Sequence, residues 1–125
     1  MDKLRVLIVD DRAEVRQELS AFLPLAADIE IAGEAADGLS AVGWAAALAP
    51  DVVLLDLRLP GIDGYQVAHQ IKTLYPPCRV IALSLYGDEE SRELAHQAGF
   101  DAFVSKSDPP EELLRTILGT SECPG

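Results

Sequence analysis

Five short apolar runs, each separated from the next by a helix-patterned stretch, limit this chain to few folds. The runs are Leu4 to Val9, Ile29 to Gly33, Val52 to Leu55, Val80 to Leu83 and Ala102 to Val104. Three of them, those starting at Leu4, Val52 and Val80, are nearly continuous rather than alternating, as expected of strands covered on both faces. The Ile29 run alternates and reads as an edge strand. Between the runs, Val15, Leu19, Phe22 and Leu23 fall on one helical face, with Pro24 expected to end the helix. Leu39, Val42, Ala46 and Ala49 mark a second helix, capped by Asp37 and stopped by Pro50. Val67, Ile71 and Leu74 mark a third, closed by Pro76 and Pro77. Leu94, Ala95 and Ala98 mark a fourth with a thin apolar face, ending at Gly99. Leu113, Leu114, Ile117 and Leu118 mark the last, where Asp108 and Glu111 have capping-box spacing and Pro109 suits the first helical position. Parallel strands need such crossovers, and right-handed ones leave an α/β doubly wound sheet as the simplest arrangement.

At 125 residues the chain fits one domain. Only 6% of it is aromatic, so the core must be mainly aliphatic. A formal charge of −11 repels phosphate backbones and anionic headgroups, which argues against nucleic-acid or membrane binding by this segment. Neither Cys78 nor Cys123 has metal-site or redox-pair spacing, and Cys78 reads as core filler. No signal core or membrane span is visible, so a cytoplasmic location is expected.

In a doubly wound sheet, polar residues at the carboxyl ends of the strands gather in one crevice. Here the first strand leads into Asp10 and Asp11, the third into Asp56, the fourth into Ser84 and the fifth into Lys106. Taken singly, each reads as a cap, a turn or a surface residue. Together they place three carboxylates in one crevice, where mutual repulsion calls for a counter-charge. Hard oxygen donors without His or Cys favour Mg²⁺, with Mn²⁺ as the alternative, over zinc. Lys106 and Ser84 supply a mobile positive charge and a hydroxyl donor. These are the requirements of phosphoryl transfer.

The same residues resemble the receiver domains of two-component response regulators. The likeness runs from residue 4 to 118, through Val9-Asp10-Asp11, the segment from Pro50 through Asp56 to Gly64, Ser84, and the segment from Ala98 through Phe103 to Lys106. It implies a flavodoxin-like five-stranded parallel sheet of order 2-1-3-4-5 with five helices. It implies that Asp56 accepts a phosphoryl group from a histidine kinase. It further implies that Asp11, Asp56 and the backbone carbonyl of Arg58 hold Mg²⁺ directly, with Asp10 acting through water. Lys106 would pair with the phosphoryl group, Ser84 would be the switch hydroxyl, and Phe103 the aromatic that turns inward with it. The thin, acidic-starting fourth helix then belongs to a switch face shared with the fifth strand and helix. The Gly33-Glu34-Ala35-Ala36-Asp37-Gly38 stretch, and a lysine not followed by proline, resemble the subgroup with a C-terminal helix-turn-helix (LuxR-type) DNA-binding output. On this reading residues 1–119 are the receiver, and residues 120–125 are a tail or the start of a linker to an output domain. A homodimer formed on phosphorylation is among the assemblies the likeness allows.

The chain departs from the family pattern in places. Ser107 stands where many receivers have proline, which leaves the isomer of the preceding bond open. Leu85 replaces a usually small residue, and Arg58 and Tyr86 join it at the rim of the site. Gly64 serves either a tight backbone passage or an ordinary helix start. A phosphorylation-independent interaction module is the alternative function. A haloacid-dehalogenase-like phosphatase is disfavoured because no second Asp sits two positions after Asp10 or Asp11. Dinucleotide binding is disfavoured because no Gly-rich loop follows the first strand.

Overall fold

A computed structural model describes residues 3–59, 63–84 and 89–119. Its elements alternate as β1 (Leu4–Val9), α1 (Ala13–Ala26), β2 (Ile29–Ala35), α2 (Gly38–Leu48), β3 (Val52–Asp56), α3 (Gly64–Leu74), β4 (Arg79–Ser84), α4 (Glu89–Ala98), β5 (Ala102–Ser105) and α5 (Pro110–Leu118). The strands form one parallel sheet in the order β2-β1-β3-β4-β5, so the expected fold class holds.

Successive side chains of a strand point to opposite faces, and this divides the apolar runs between two cores. Leu7, Val9, Val53, Leu55, Val80 and Ala82 pack against α2, α3 and α4 through Ala41, Ala45, Val67, Ala68, Ile71 and Ala95. Val6, Ile8, Val52, Leu54, Ile81 and Leu83 face α1 and α5 through Leu23, Leu113 and Ile117. Every residue of β3 is buried, which explains why its sequence carries no polar alternation. Truncating Leu54 to Ala in this two-sided core should cost about 2–5 kcal/mol. Cys78 is buried in the first core, as expected of filler.

Two helix boundaries differ from expectation. Helix α1 runs through Pro24 to Ala26, and the Ala27 amide closes it on the carbonyl of Leu23. Proline removes one donor and crowds the preceding turn, yet the amides after it still pair, and Pro24 is exposed. At α5 the capping box does not form. Pro109 sits before another proline, which forces it into extended backbone (φ −61°, ψ 151°), so Pro110 takes the first helical position. Asp108 instead accepts a hydrogen bond from the Ser105 amide at 3.1 Å and closes a turn with it. The other caps follow expectation. Asp37 accepts from the Ser40 amide at 2.8 Å, and this bond holds its carboxyl below the ordinary range. Helix α2 ends on Ala49 in the left-handed region (φ 47°), directly before Pro50. Among the described residues no peptide bond is cis, so the Lys106–Ser107 bond is trans.

Candidate functional site

The carboxyl ends of β1, β3, β4 and β5 converge because parallel strands all deliver their last residues to the same edge of the sheet. Asp56 and Ser84 are the final residues of β3 and β4, while Asp10 and Lys106 each lie one residue past a strand. The register pairs Asp56 with Leu83 and Ser84 with Ser105. The Lys106 amide then donates to the Ser84 carbonyl at 2.6 Å, which fixes where the lysine leaves the sheet.

Carboxylate oxygens of Asp10, Asp11 and Asp56 lie within 4.8 Å of one another. Asp10 is fully buried, Asp56 is 5% exposed, and Asp11 opens to solvent. The Lys106 ammonium stands between the two buried acids, donating to Asp10 Oδ2 at 2.9 Å and to Asp56 Oδ2 at 3.2 Å. The remaining oxygens accept backbone donors: Arg12 N–H to Asp10 Oδ1 at 2.9 Å, and Arg58 N–H to Asp56 Oδ1 at 3.0 Å. Burial pushes the Asp56 carboxyl above its ordinary range, and the negative charge of Asp10 adds to the shift. The Arg58 amide and Lys106 oppose it. A single lysine thus only partly offsets three acids, and a divalent cation is the natural complement of this all-oxygen donor set. The cluster is capable of coordinating such an ion.

Phe103, three residues before Lys106, is half-buried and packs against the core beneath α2, α3 and α4. The Arg92 guanidinium of α4 lies 4.6 Å above its ring centroid. This contact has no sequence signal beyond a basic residue on a helix that begins with two acids. Gly64 is a tight passage as well as a helix start: a Cβ there would come within 2.9 Å of Leu57 Cα and 3.0 Å of the Asp56 carbonyl oxygen. Leu85 and Tyr86, expected at the rim, lie outside the described residues, as does the tail 120–125.

The family model described as "Response regulator receiver domain" matches residues 6–118. The chain belongs to that family. Two curated relatives of this receiver come from Bacillus subtilis (strain 168). The uncharacterized transcriptional regulatory protein YhcZ is 39% identical over 113 residues, covering 90% of this chain and 53% of its own. The transcriptional regulatory protein LiaR is 35% identical over 119 residues, covering 95% and 56% respectively. The receiver therefore spans about half the length of these relatives. Among solved structures, the signal receiver domain of the putative response regulator NarL from Mycobacterium tuberculosis superposes with a TM-score of 0.89 at 34% identity, covering 95% of this chain and 96% of that one. A LuxR-family two-component response regulator from Aurantimonas sp. SI85-9A1 gives 0.89 at 27% identity, covering 94% and 84%. Among the described residues of the receiver, no helix is long and apolar enough to cross a membrane.

Proposed function

We propose that Asp56 is the phosphoacceptor of this receiver and that a histidine kinase is the donor. The observation that carries the reading is the Lys106 ammonium shared between the buried carboxylates of Asp10 and Asp56, with Asp11 completing the acidic edge. One oxygen of Asp56 forms the new P–O bond as the P–N bond of the partner's phosphohistidine breaks, and the leaving imidazole takes up a proton. Asp56 must be ionised to attack, and the Arg58 amide and Lys106 favour that state against its burial. Asp11, Asp56 and the Arg58 carbonyl would hold Mg²⁺ directly, with Asp10 acting through water, and Mn²⁺ would suit the same donors. When bound, the ion neutralises charge on the phosphoryl oxygens. Lys106 then turns to a phosphoryl oxygen, Ser84 donates its hydroxyl to another, and Phe103 follows Ser84 inward. The domain is a phosphoacceptor rather than a turnover catalyst.

The output reading follows from the likeness to LuxR-family regulators. Residues 1–119 act as the receiver, and residues 120–125 are a tail or the start of a linker to a helix-turn-helix output domain. Phosphorylation shifts the population of the α4–β5–α5 face, which controls that domain and promotes homodimer formation. A cytoplasmic location accords with a histidine-kinase donor. The test is incubation with acetyl phosphate and Mg²⁺, followed by intact mass. Addition of one phosphoryl group that is lost in Asp56→Asn supports the reading. No addition at saturating donor leaves a phosphorylation-independent interaction module in its place.

A further inference from the structure

The carbonyl of Asp10 lies just beyond the sheet ladder. The last residue of β1 paired on either side is Val9, opposite Ala35 and Leu55. The Asp10 amide still donates to the Ala35 carbonyl at 3.1 Å, but the Asp10 carbonyl has left the reach of regular strand pairing. A buried carbonyl needs a donor, and Arg16 of α1 provides it, with Nη1 2.7 Å from the Asp10 oxygen. The same guanidinium donates from Nε to Glu34 Oε1 at 3.2 Å, and the other oxygen of Glu34 accepts from Ser20 Oγ at 2.7 Å. The Arg16 side chain is 20% exposed. A line of hydrogen bonds therefore runs from α1 to the edge strand β2, back through Arg16, and into the strand end that carries Asp10 and Asp11.

We propose that Arg16, oriented by Glu34 and Ser20, is a positioning residue that clamps the end of β1 so that Asp10 and Asp11 present their oxygens to the divalent cation. This inference rests on the metal-assisted reading of the site given above. Its sign separates it from simple charge effects. A guanidinium beside an acidic cluster repels a cation, so removing it by charge alone would tighten metal binding. Removing a clamp loosens it, as happens when groups that orient metal-holding carboxylates are lost.

The experiment compares the whole chain with its Arg16→Met and Arg79→Met variants. Arg79 is the control because its guanidinium closes the end of α5, donating to the Ile117 and Thr116 carbonyls at 2.8 and 2.7 Å from the start of β4. Mn²⁺ affinity is read by electron paramagnetic resonance, and amide exchange at Arg12 is read without metal. Arg16→Met is expected to weaken Mn²⁺ binding about tenfold and to speed exchange at Arg12, whose amide donates to Asp10 Oδ1. Arg79→Met is expected to lower thermal stability and change neither readout. Mn²⁺ binding in Arg16→Met as tight as or tighter than wild type, with Arg12 protection intact, overturns the proposal. If Arg16→Met fails to fold, Ser20→Ala alters no charge and is expected to show a smaller loss of the same sign; an unchanged affinity there overturns it equally. If the wild type takes up no Mn²⁺, the metal reading falls, and Arg12 exchange alone decides whether Arg16 clamps the strand end.

Discussion

The backbone at Gly64 presses directly on Asp56: a Cβ built there would stand 3.0 Å from the Asp56 carbonyl oxygen. The first residue of α3 thus sets how far the Asp56-Leu57 segment can move. Because the contact is with backbone, no side chain can rotate away to make room. Gly64→Ala should cost about 1–3 kcal/mol in urea denaturation and slow phosphoryl uptake from acetyl phosphate. Uptake at the wild-type rate would show that the α3 start does not set the Asp56 position.

Asp56 itself should be a stability cost in the absence of a divalent ion. Burial raises its carboxyl, so the folded state binds its proton more tightly than the unfolded chain does. For a raised carboxyl, the stabilising contribution is complete below the unfolded value and is lost as pH rises through the folded one. Asp56→Asn should therefore be more stable than wild type at neutral pH. The gap should close toward acid and shrink on adding Mg²⁺. Denaturation across that pH range, with and without Mg²⁺, checks the sign.

Arg92 acts where α4 meets β5. Its cation–π contact with Phe103 joins α4 to β5 across a region where α4 buries only Ala95. Replacing Arg92 with Leu should cost about 0.5–1 kcal/mol and widen the range of Phe103 ring orientations, visible in its aromatic NMR signals. Unchanged ring signals would show that packing alone fixes Phe103.

Cys78 offers a pH test at the opposite end of the sheet. Burial pushes its thiol from 9.0 up to about 11, so the folded chain keeps a proton that the unfolded chain gives up. The resulting stability is intact below about pH 9 and disappears as pH rises toward the folded value. The difference in stability between wild type and Cys78→Ala should fall by roughly 2–3 kcal/mol over that interval. At neutral pH, alkylation of Cys78 should track global unfolding, because the residue is 1% exposed.

The parts of this fold that could be read in the sequence are those in which local chemistry and tertiary demand agree. Val52 to Leu55 is continuously apolar because both faces of β3 are covered, and Asp56, itself buried, follows where the strand reaches the crevice. Asp37 caps α2 through atoms three residues away, a range at which composition speaks clearly. Pro24 misled because a proline costs one bond to the turn before it without barring the amides after it from pairing, as the Ala27 amide does with the Leu23 carbonyl. Asp108 misled because the two prolines after it compete for one position, and the neighbouring Ser105 amide claimed its carboxylate. The Arg16 bond to Asp10, and the Arg92 contact with Phe103, had no local signature. Each joins elements whose separation is settled only when the sheet assembles.

Five of the basic residues divide by the direction of the strands. At the amino ends, Arg5 donates to the Leu48 carbonyl at the close of α2, Arg79 does the same for α5, and Lys72 ties Asp101 to the Cys78 carbonyl. At the carboxyl ends, Lys106 and Arg16 serve Asp10 and its neighbours. Selection for heat resistance and selection for the duration of a signal can therefore act on separate positions of the same small domain. A lineage could raise the melting point through the first group while keeping the same response time, or retune response time through the second with a warm-stable scaffold already in hand.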